Sequence, residues 1–131
     1  MANTKTSYSV EDLYDAALAL LSEDKQRVKD YPKFKIALTN QIIAECFDIN
    51  NTLRSLDGLK PFSKEELPYM TSANDIIPYD LRLLRECMPY GLASLLVIDD
   101  DKEKCSVFSA QFEMLKSKFS KAQFSDIVNS Y

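Results

Sequence analysis

The chain has 131 residues, of which 46% are hydrophobic and 27% are charged, with a net charge of −4 and two glycines. This length suits one domain whose core can fold without a metal ion or a disulfide. The acidic balance disfavours a duplex-binding protein, because such proteins carry a basic patch. So few glycines favour helices over hairpin-rich sandwiches or barrels. We predict one helical domain over residues 1–131, with residues 1–8 and about 122–131 as candidate flexible ends.

The first predicted helix runs from Val10 to about Ser22. Ser9 stands at its N-cap position and Asp12 three residues later, which is an acidic variant of the capping box. Apolar residues recur along one face at the three- and four-residue spacing of an amphipathic helix. They are Leu13, Ala16, Ala17, Leu20 and Leu21.

A second, longer helix is predicted from Pro32 to Asp57. Proline is tolerated in the first turn of a helix, where its missing N–H is not needed, and Gly58 is a natural C-terminal cap. This helix would have about 25 residues and a length of about 37 Å. It is therefore expected to form the backbone of the fold.

Residues 59–79, "LKPFSKEELPYMTSANDIIPY", form a link that contains three of the five prolines. Long connections are usually functional or disordered, and this one is too apolar for a free linker. It either packs on its own helices or docks against another chain. We select Ile76, Ile77 and Tyr79 as candidate contacts with a neighbouring subunit or partner. The alternative is that they only cover the helices.

The third predicted helix begins with Asp80 as its N-cap and includes the stretch "MPYGLASLLVI", residues 88–98. Pro89 removes a backbone hydrogen bond and its ring crowds the preceding turn, so we expect a kink or a split. Apolar side chains surround residues 92–98, which predicts a central helix. Close packing is expected at three small residues that follow the kink: Gly91, Ala93 and Ser94.

The aspartates Asp99, Asp100 and Asp101 are predicted to end the third helix and cap the fourth. Negative charge is unfavourable at the C-terminal end of a helix and favourable at the N-terminal end. An EF-hand loop starting at Asp99 would need glycine and glutamate where the chain has Lys104 and Ala110, so no calcium site is predicted. Apolar residues mark one edge of the fourth helix: Phe108, Phe112, Leu115 and Phe119.

No catalytic, metal-binding or cofactor-binding residues are predicted. The sequence has no histidine, which excludes a Ser-His-Asp triad and a zinc-binding H-E-x-x-H motif. The cysteines Cys46, Cys87 and Cys105 lack C-x-x-C spacing and are expected to be reduced core residues. The sequence starts without the apolar region of a signal peptide, and its longest apolar run, residues 91–98, is too short to cross a bilayer. We therefore expect a non-enzymatic protein that does not bind membranes.

Three stretches carry a resemblance to a known family. They are "NQIIAECFDINNTLRSLDG", "TSANDIIPYD" and "LRECMPYGLASLLVIDDDKEKCSVFSAQFEMLKSKF". The last has a "PYGLA" kink, an apolar helix, an acidic break and a final helix with regularly spaced aromatics, in that order. Over roughly residues 9–120 the chain resembles the small all-helical head–tail connector (neck or adaptor) proteins of tailed bacteriophages and prophages.

The resemblance implies an all-α, four- to five-helix bundle with a proline-rich link between the second and third helices. Such proteins form a ring under the portal and dock the next neck or tail component. The implied partners are the portal protein, further copies of the chain and that downstream protein, and DNA is only cargo that passes through the channel. The free subunit can stay monomeric until the portal offers a template. The implied location is the virion, after synthesis in the bacterial host cytoplasm.

An alternative reading is an intracellular helical adaptor that binds a single partner protein through the link or through a helix groove. The gene neighbourhood separates the two hypotheses. Portal and capsid genes upstream with tail genes downstream favour a connector, and a metabolic or regulatory operon excludes it.

Overall fold

Helices dominate the computed structural model, which describes residues 5–22 and 33–129, with side chains up to residue 121. The α-helices in these ranges are α1 (Val10–Leu21), α2 (Lys35–Glu45), α3 (Phe47–Leu56), α4 (Leu81–Glu86), α5 (Met88–Leu96) and α6 (Lys102–Asn129). A 3₁₀ turn covers Lys64–Glu66. No strand occurs in the described ranges, where an isolated antiparallel bridge joins Ser9 to Ile76. This part of the chain is all-α, as predicted.

Helix α1 begins where its capping residues predict. The Ser9 Oγ atom accepts from the Asp12 N–H at 3.1 Å, and the Asp12 Oδ2 atom accepts from the Ser9 N–H at 3.0 Å. The capping box predicted from the sequence is therefore confirmed. At the other end, Ser22 adopts a left-handed conformation with φ 57° and closes the helix.

The predicted second helix is divided into α2 and α3 at Cys46. The Cys46 N–H donates to the Ile42 carbonyl at 3.0 Å, and the Asn50 N–H donates to the Cys46 carbonyl at 2.9 Å. Hydrogen bonds of helical spacing therefore continue on both sides of the break. The Tyr79 hydroxyl donates to the Ile43 carbonyl at 2.7 Å, and a side chain that inserts into the carbonyl ladder is an established cause of such breaks. Pro32, the predicted first-turn residue, lies outside the described residues.

Helix α3 ends at Leu56, and Gly58 two residues later has the left-handed φ of 76° that stops a helix, which confirms its predicted capping role. The Gly58 N–H donates to the Ser55 carbonyl at 3.1 Å, and the Leu59 N–H donates to the Arg54 carbonyl at 2.8 Å. This pair of bonds is a Schellman motif, which needs a left-handed residue after the helix.

Helix α5 is the central element of the described part of the chain, because it packs against α1, α2, α4 and α6. Residues 91–94 on it are all buried. Helix α6 packs on α5 and α3 through the predicted edge, of which Phe112 and Phe119 are buried. Its backbone stays helical to Asn129, so most of the predicted tail continues the helix. Its 28 residues span about 42 Å.

Candidate interaction surface

Residues 59–79 are fastened to α2 and α3 by two asparagine side chains. The Asn40 Nδ2 atom donates to the Met70 carbonyl at 2.9 Å, and the Met70 N–H donates to the Asn40 Oδ1 atom at 2.7 Å. Asn51 pairs with Phe62 in the same way, at 3.0 Å and 2.8 Å. Each amide therefore satisfies both backbone polar groups of one residue in the link, as a neighbouring strand would.

The end of the link also pairs with the start of α1. The Ile77 N–H donates to the Tyr8 carbonyl at 2.8 Å, and the Val10 N–H donates to the Asp75 carbonyl at 3.1 Å. The Glu11 N–H donates to the Ala73 carbonyl at 2.9 Å. The first N–H groups of a helix have no partner within the helix. The link therefore supplies carbonyl acceptors for the first N–H groups of α1.

A turn at residues 71–75 shapes this pairing. The Asp75 Oδ2 atom accepts from the Thr71 N–H at 2.7 Å and from the Ser72 N–H at 3.0 Å. These backbone donors stabilise the carboxylate and hold the pKa of Asp75 below its usual value. The ionised form of Asp75 therefore supports the turn that carries the Asp75 and Ala73 carbonyls to α1.

The burial of Ile77 and Tyr79 corrects the prediction that they contact a partner. Only 2% of Ile77 and 6% of Tyr79 is exposed, whereas Ile76 is 52% exposed. Successive side chains of an extended segment point to opposite sides. Ile76 and Pro78 are therefore exposed, and Ile77 and Tyr79 enter the core of the chain itself. Burial also raises the pKa of Tyr79, whose hydroxyl stays protonated and bonded to Ile43.

Apolar side chains remain on the outer side of the link. Leu67, Tyr69 and Ile76 are 42%, 75% and 52% exposed, and we call these three residues the link edge. Tyr69 directly precedes Met70, which Asn40 holds in place. Ile76 lies between Asp75 and Ile77, whose backbones bond to α1 and Tyr8. The link edge is thus a set of three exposed apolar side chains on a backbone that hydrogen bonds hold in place.

The four predicted residues of the kink lie in α5 and are all buried. The chain divides at Cys87, so that Pro89 falls in the first turn of α5. A Cβ atom added to Gly91 would lie 2.8 Å from Phe112 Cζ and 2.9 Å from Ile42 Cδ1. Ala93 is fully buried, and the Ser94 hydroxyl donates to the Gly91 carbonyl at 2.8 Å. Close packing at Gly91 therefore comes from side chains of α2 and α6.

The three aspartates lie between α5 and α6. Asp101 directly precedes α6, and its Oδ1 atom accepts from the Lys104 N–H at 3.0 Å, as an N-cap side chain does. Asp99 and Asp100 are exposed and are among the residues that line a groove. This acidic groove encloses about 400 Å³. Its other lining residues are Lys33, Phe34, Leu38, Leu95, Leu96 and Ile98.

Cys46 and Cys87 each occupy the residue between two helices and are fully buried. A hydrogen bond with the Cys87 thiol raises the pKa of the Cys46 thiol, and burial raises it further. Nucleophilic cysteines need a lowered pKa and access to solvent. This pair therefore has the properties of core side chains, as the sequence predicts.

Residues 5–22 and 33–129 contain no group of three or more His, Cys, Asp or Glu residues that could hold a metal ion. In the same ranges, none of the helices combines the length and apolar character that crossing a membrane requires.

No protein-family model, curated protein or solved structure matches this chain. The interaction surface therefore has to be argued from its own residues. Asn40 and Asn51, the two side chains that fasten the link, were not predicted from the sequence. One signal for such side chains was available in the sequence. An apolar link that has no strand partner must still find hydrogen-bond partners for its backbone N–H and C=O groups.

Proposed function

We propose that this protein is a non-enzymatic virion assembly subunit, a head–tail connector that forms a ring under the portal and docks the next neck or tail component. The proposal includes a bundle arrangement of its helices, joined by residues 59–79 as the proline-rich link. Its partners are further copies of the chain, the portal protein and the downstream component, and DNA passes through the ring as cargo. The subunit is made in the host cytoplasm and ends in the virion.

The fastened link edge is the observation that supports this proposal most directly. Exposed aromatic and aliphatic side chains are typical of the core of a protein–protein interface. Binding to a flexible loop loses affinity, because the loop must be ordered. In this chain the asparagine pairs and the α1 contacts order the link before any partner arrives. Such a surface suits an assembly protein that acts through shape.

The link edge can be tested with Tyr69→Asp combined with Ile76→Asp. Both side chains are exposed, so we expect the helical circular dichroism signal and the melting midpoint to stay nearly unchanged. Binding to the portal protein or to the neck protein from the same gene cluster should be lost in co-sedimentation. Val107→Asp is the control, because Val107 is 61% exposed and lies on α6, which contains none of the link-edge residues.

Two results would contradict the proposal. In one, the wild-type chain binds neither portal nor neck protein and forms a one-to-one complex with an unrelated protein, as the alternative adaptor hypothesis predicts. In the other, the gene lies in a metabolic or regulatory operon. Loss of binding by the Val107 control as well as by the double variant would show that the link edge is not the docking surface.

A further inference from the structure

Ile76 lies in an extended stretch of the link that is paired along one edge. Its neighbours Asp75 and Ile77 bond to the backbone of residues 8–10, which makes the antiparallel bridge between Ile76 and Ser9. The backbone N–H and C=O groups of successive residues in an extended chain point to opposite edges. Those of Ile76 therefore point to the edge that faces away from Ser9.

This second edge of the link carries unpaired backbone groups. Within residues 5–22 and 33–129, the N–H and C=O groups of Ile76 take part in no hydrogen bond, and neither does the C=O group of Pro78. We call these three groups the open edge. Ile76 and Pro78 are both exposed, so a second molecule can reach them. Met70 differs, because Asn40 already satisfies both of its backbone polar groups.

The open edge is held in an extended conformation before any partner binds. Pro78 follows Ile77, and the residue before a proline avoids the helical region. On the other side of Ile76, the Asp75 carboxylate closes the turn at residues 71–75. The unpaired groups therefore have fixed directions, and a partner that pairs with them has to order little of this chain.

An extended segment is the kind of partner that fits unpaired backbone groups in this arrangement. The N–H and C=O groups of a residue on a free edge match the C=O and N–H groups of a residue on an added strand. A helix supplies such groups only at its ends, because the others bond within the helix. An added strand also places alternate side chains beside Ile76 and Pro78, where an apolar β-branched or aromatic residue packs best.

We propose that the open edge binds an extended segment of the portal or neck protein by strand addition. The Ile76 N–H donates to a carbonyl of that segment, and the Ile76 carbonyl accepts from one of its N–H groups. The Ile76 side chain packs against the apolar residue opposite it. This inference rests on the proposed function and names the kind of segment that the link recognises.

Two features keep the open edge short. Pro78 has no N–H group, and the Asn74 N–H donates to the Ser72 hydroxyl at 3.2 Å instead of continuing the edge. Short edges that contain proline resist indiscriminate pairing with other chains. The pairing is therefore confined to residues 76–78, and we expect the rest of the affinity to come from the side chains of the link edge.

Three substitutions in the full chain test the hydrogen bonds separately from the side chains. Ile76→Pro removes the N–H donor and keeps an apolar side chain. Ile76→Ala keeps the donor and removes more of the side chain. Pro78→Ala adds a donor to the open edge. Binding to the intact portal or neck protein from the same gene cluster is measured by isothermal titration calorimetry.

We expect Ile76→Pro to bind at least about tenfold more weakly than Ile76→Ala, because a carbonyl of the partner then loses its donor. Pro78→Ala should bind at least as tightly as the wild type. The Ile77 and Met70 amides are hydrogen-bonded in the free chain. Their protection from hydrogen exchange checks that the link of each variant keeps its native bonds.

A second measurement uses the wild-type chain, so it does not depend on how a proline fits at residue 76. Short synthetic peptides that together cover the portal and neck sequences are titrated into the isotope-labelled chain, up to about 1 mM. A peptide that binds should show nuclear Overhauser contacts between its backbone protons and the Ile76 N–H.

Two results would overturn strand addition. One is an Ile76→Pro variant that keeps the native bonds of the link and binds as tightly as Ile76→Ala. The other is a set of peptides of which none binds with a backbone contact at Ile76. Either result, together with binding of the wild-type chain to intact portal or neck protein, would reject strand addition and keep the connector function. Failure of the wild-type chain to bind either intact protein would reject the connector function, and this inference with it.

Discussion

The Asn40 side chain and the Met70 backbone are joined by two hydrogen bonds, although the residues are 30 positions apart. The amide donates to the Met70 carbonyl and accepts from the Met70 N–H. Both backbone polar groups of Met70 are therefore hydrogen-bonded. Asn51 does the same for Phe62. A segment without regular structure can lie on helices only if its backbone groups find partners. These two asparagines provide them.

Replacing either asparagine with alanine should loosen the link. Asn40→Ala leaves the partly buried N–H and C=O groups of Met70 without a partner, and Asn51→Ala does the same at Phe62. We expect each change to lower the free energy of unfolding by about 2 kcal/mol. Urea denaturation measures the loss, and faster amide exchange of residues 62 and 70 locates it.

Asn74→Ala is the matched control, because Asn74 is exposed and makes its hydrogen bond through its backbone N–H. It should change stability by less than about 0.5 kcal/mol. Equal losses for Asn74→Ala and Asn40→Ala would show that the amide pairs do not fasten the link.

Gly91→Ala should destabilise the chain even though alanine favours helices. The added methyl group would lie under 3 Å from Phe112 and Ile42, both of which are buried. Overpacking costs about 1–3 kcal/mol, and the gain in helix propensity offsets about 1 kcal/mol of it. We expect a net loss of about 1 kcal/mol in thermal or urea unfolding.

Phe112→Leu provides the second half of a double-mutant cycle with Gly91→Ala. Leucine removes the ring atom nearest to the added methyl group, so the double variant should be more stable than the sum of the single losses predicts. Additive losses, or a stabilising Gly91→Ala, would mean that the core accepts the methyl group without strain.

Two left-handed residues should respond to substitution in opposite directions. Gly58 has φ 76° with no atom within 4 Å of an added Cβ, so Gly58→Ala tests backbone strain alone. It should lower stability by about 1 kcal/mol. Ser22 has φ 57°, and Ser22→Gly should raise stability by about 0.5–1 kcal/mol. Thermal melts of both variants check the prediction, and a shift of the same sign in both would refute it.

Asp75 should make the free energy of unfolding depend on pH in the acid range. Its folded pKa is lowered from 3.8 by the Thr71 and Ser72 N–H groups, so the folded state binds the proton less readily than the unfolded state. The stability it contributes is fully present above the ordinary value of 3.8 and is lost as the pH falls through the lower folded pKa. Asp75→Asn should therefore be less stable than wild type at pH 7, and the difference should shrink as the pH falls below about 4.

Urea unfolding of wild type and Asp75→Asn at neutral and acid pH measures this difference. The comparison of the two chains cancels the contributions of other carboxylates, such as Asp12 and Asp80, whose pKa values are also lowered. A difference that stays constant with pH would show that the carboxylate charge does not hold the turn.

Local features of the chain could be predicted because they depend on near neighbours. Ser9 and Asp12 are three residues apart, and together they identify the start of α1. Gly58 identifies the end of α3 in the same way. The break at Cys46 carried no signal of this kind, because the Tyr79 hydroxyl that reaches the Ile43 carbonyl is 36 residues away in the sequence. A helical period alone predicts one continuous helix there.

The candidate interaction surface also combines features that could be predicted from the sequence with features that could not. The sequence identified residues 59–79 as a long apolar link with three prolines, and it left open whether the segment packs or docks. The alternation of Ile76 and Ile77 in an extended segment could have separated an exposed residue from a buried one. Which of the two faces the core depended on how the segment packs on the helices, where Ile77 is buried and Ile76 is exposed.

The sequence by itself determined the all-helical class of the described residues and the ends of α1 and α3, because caps and amphipathic periods are set by residues within about one or two turns. Only the tertiary structure decided that Asn40 and Asn51 hold the link, that Ile77 and Tyr79 belong to the core, and that the link edge remains outside. These outcomes depend on which distant backbone groups a side chain meets, and hydrogen bonds between distant residues form only when packing brings the donors and acceptors together.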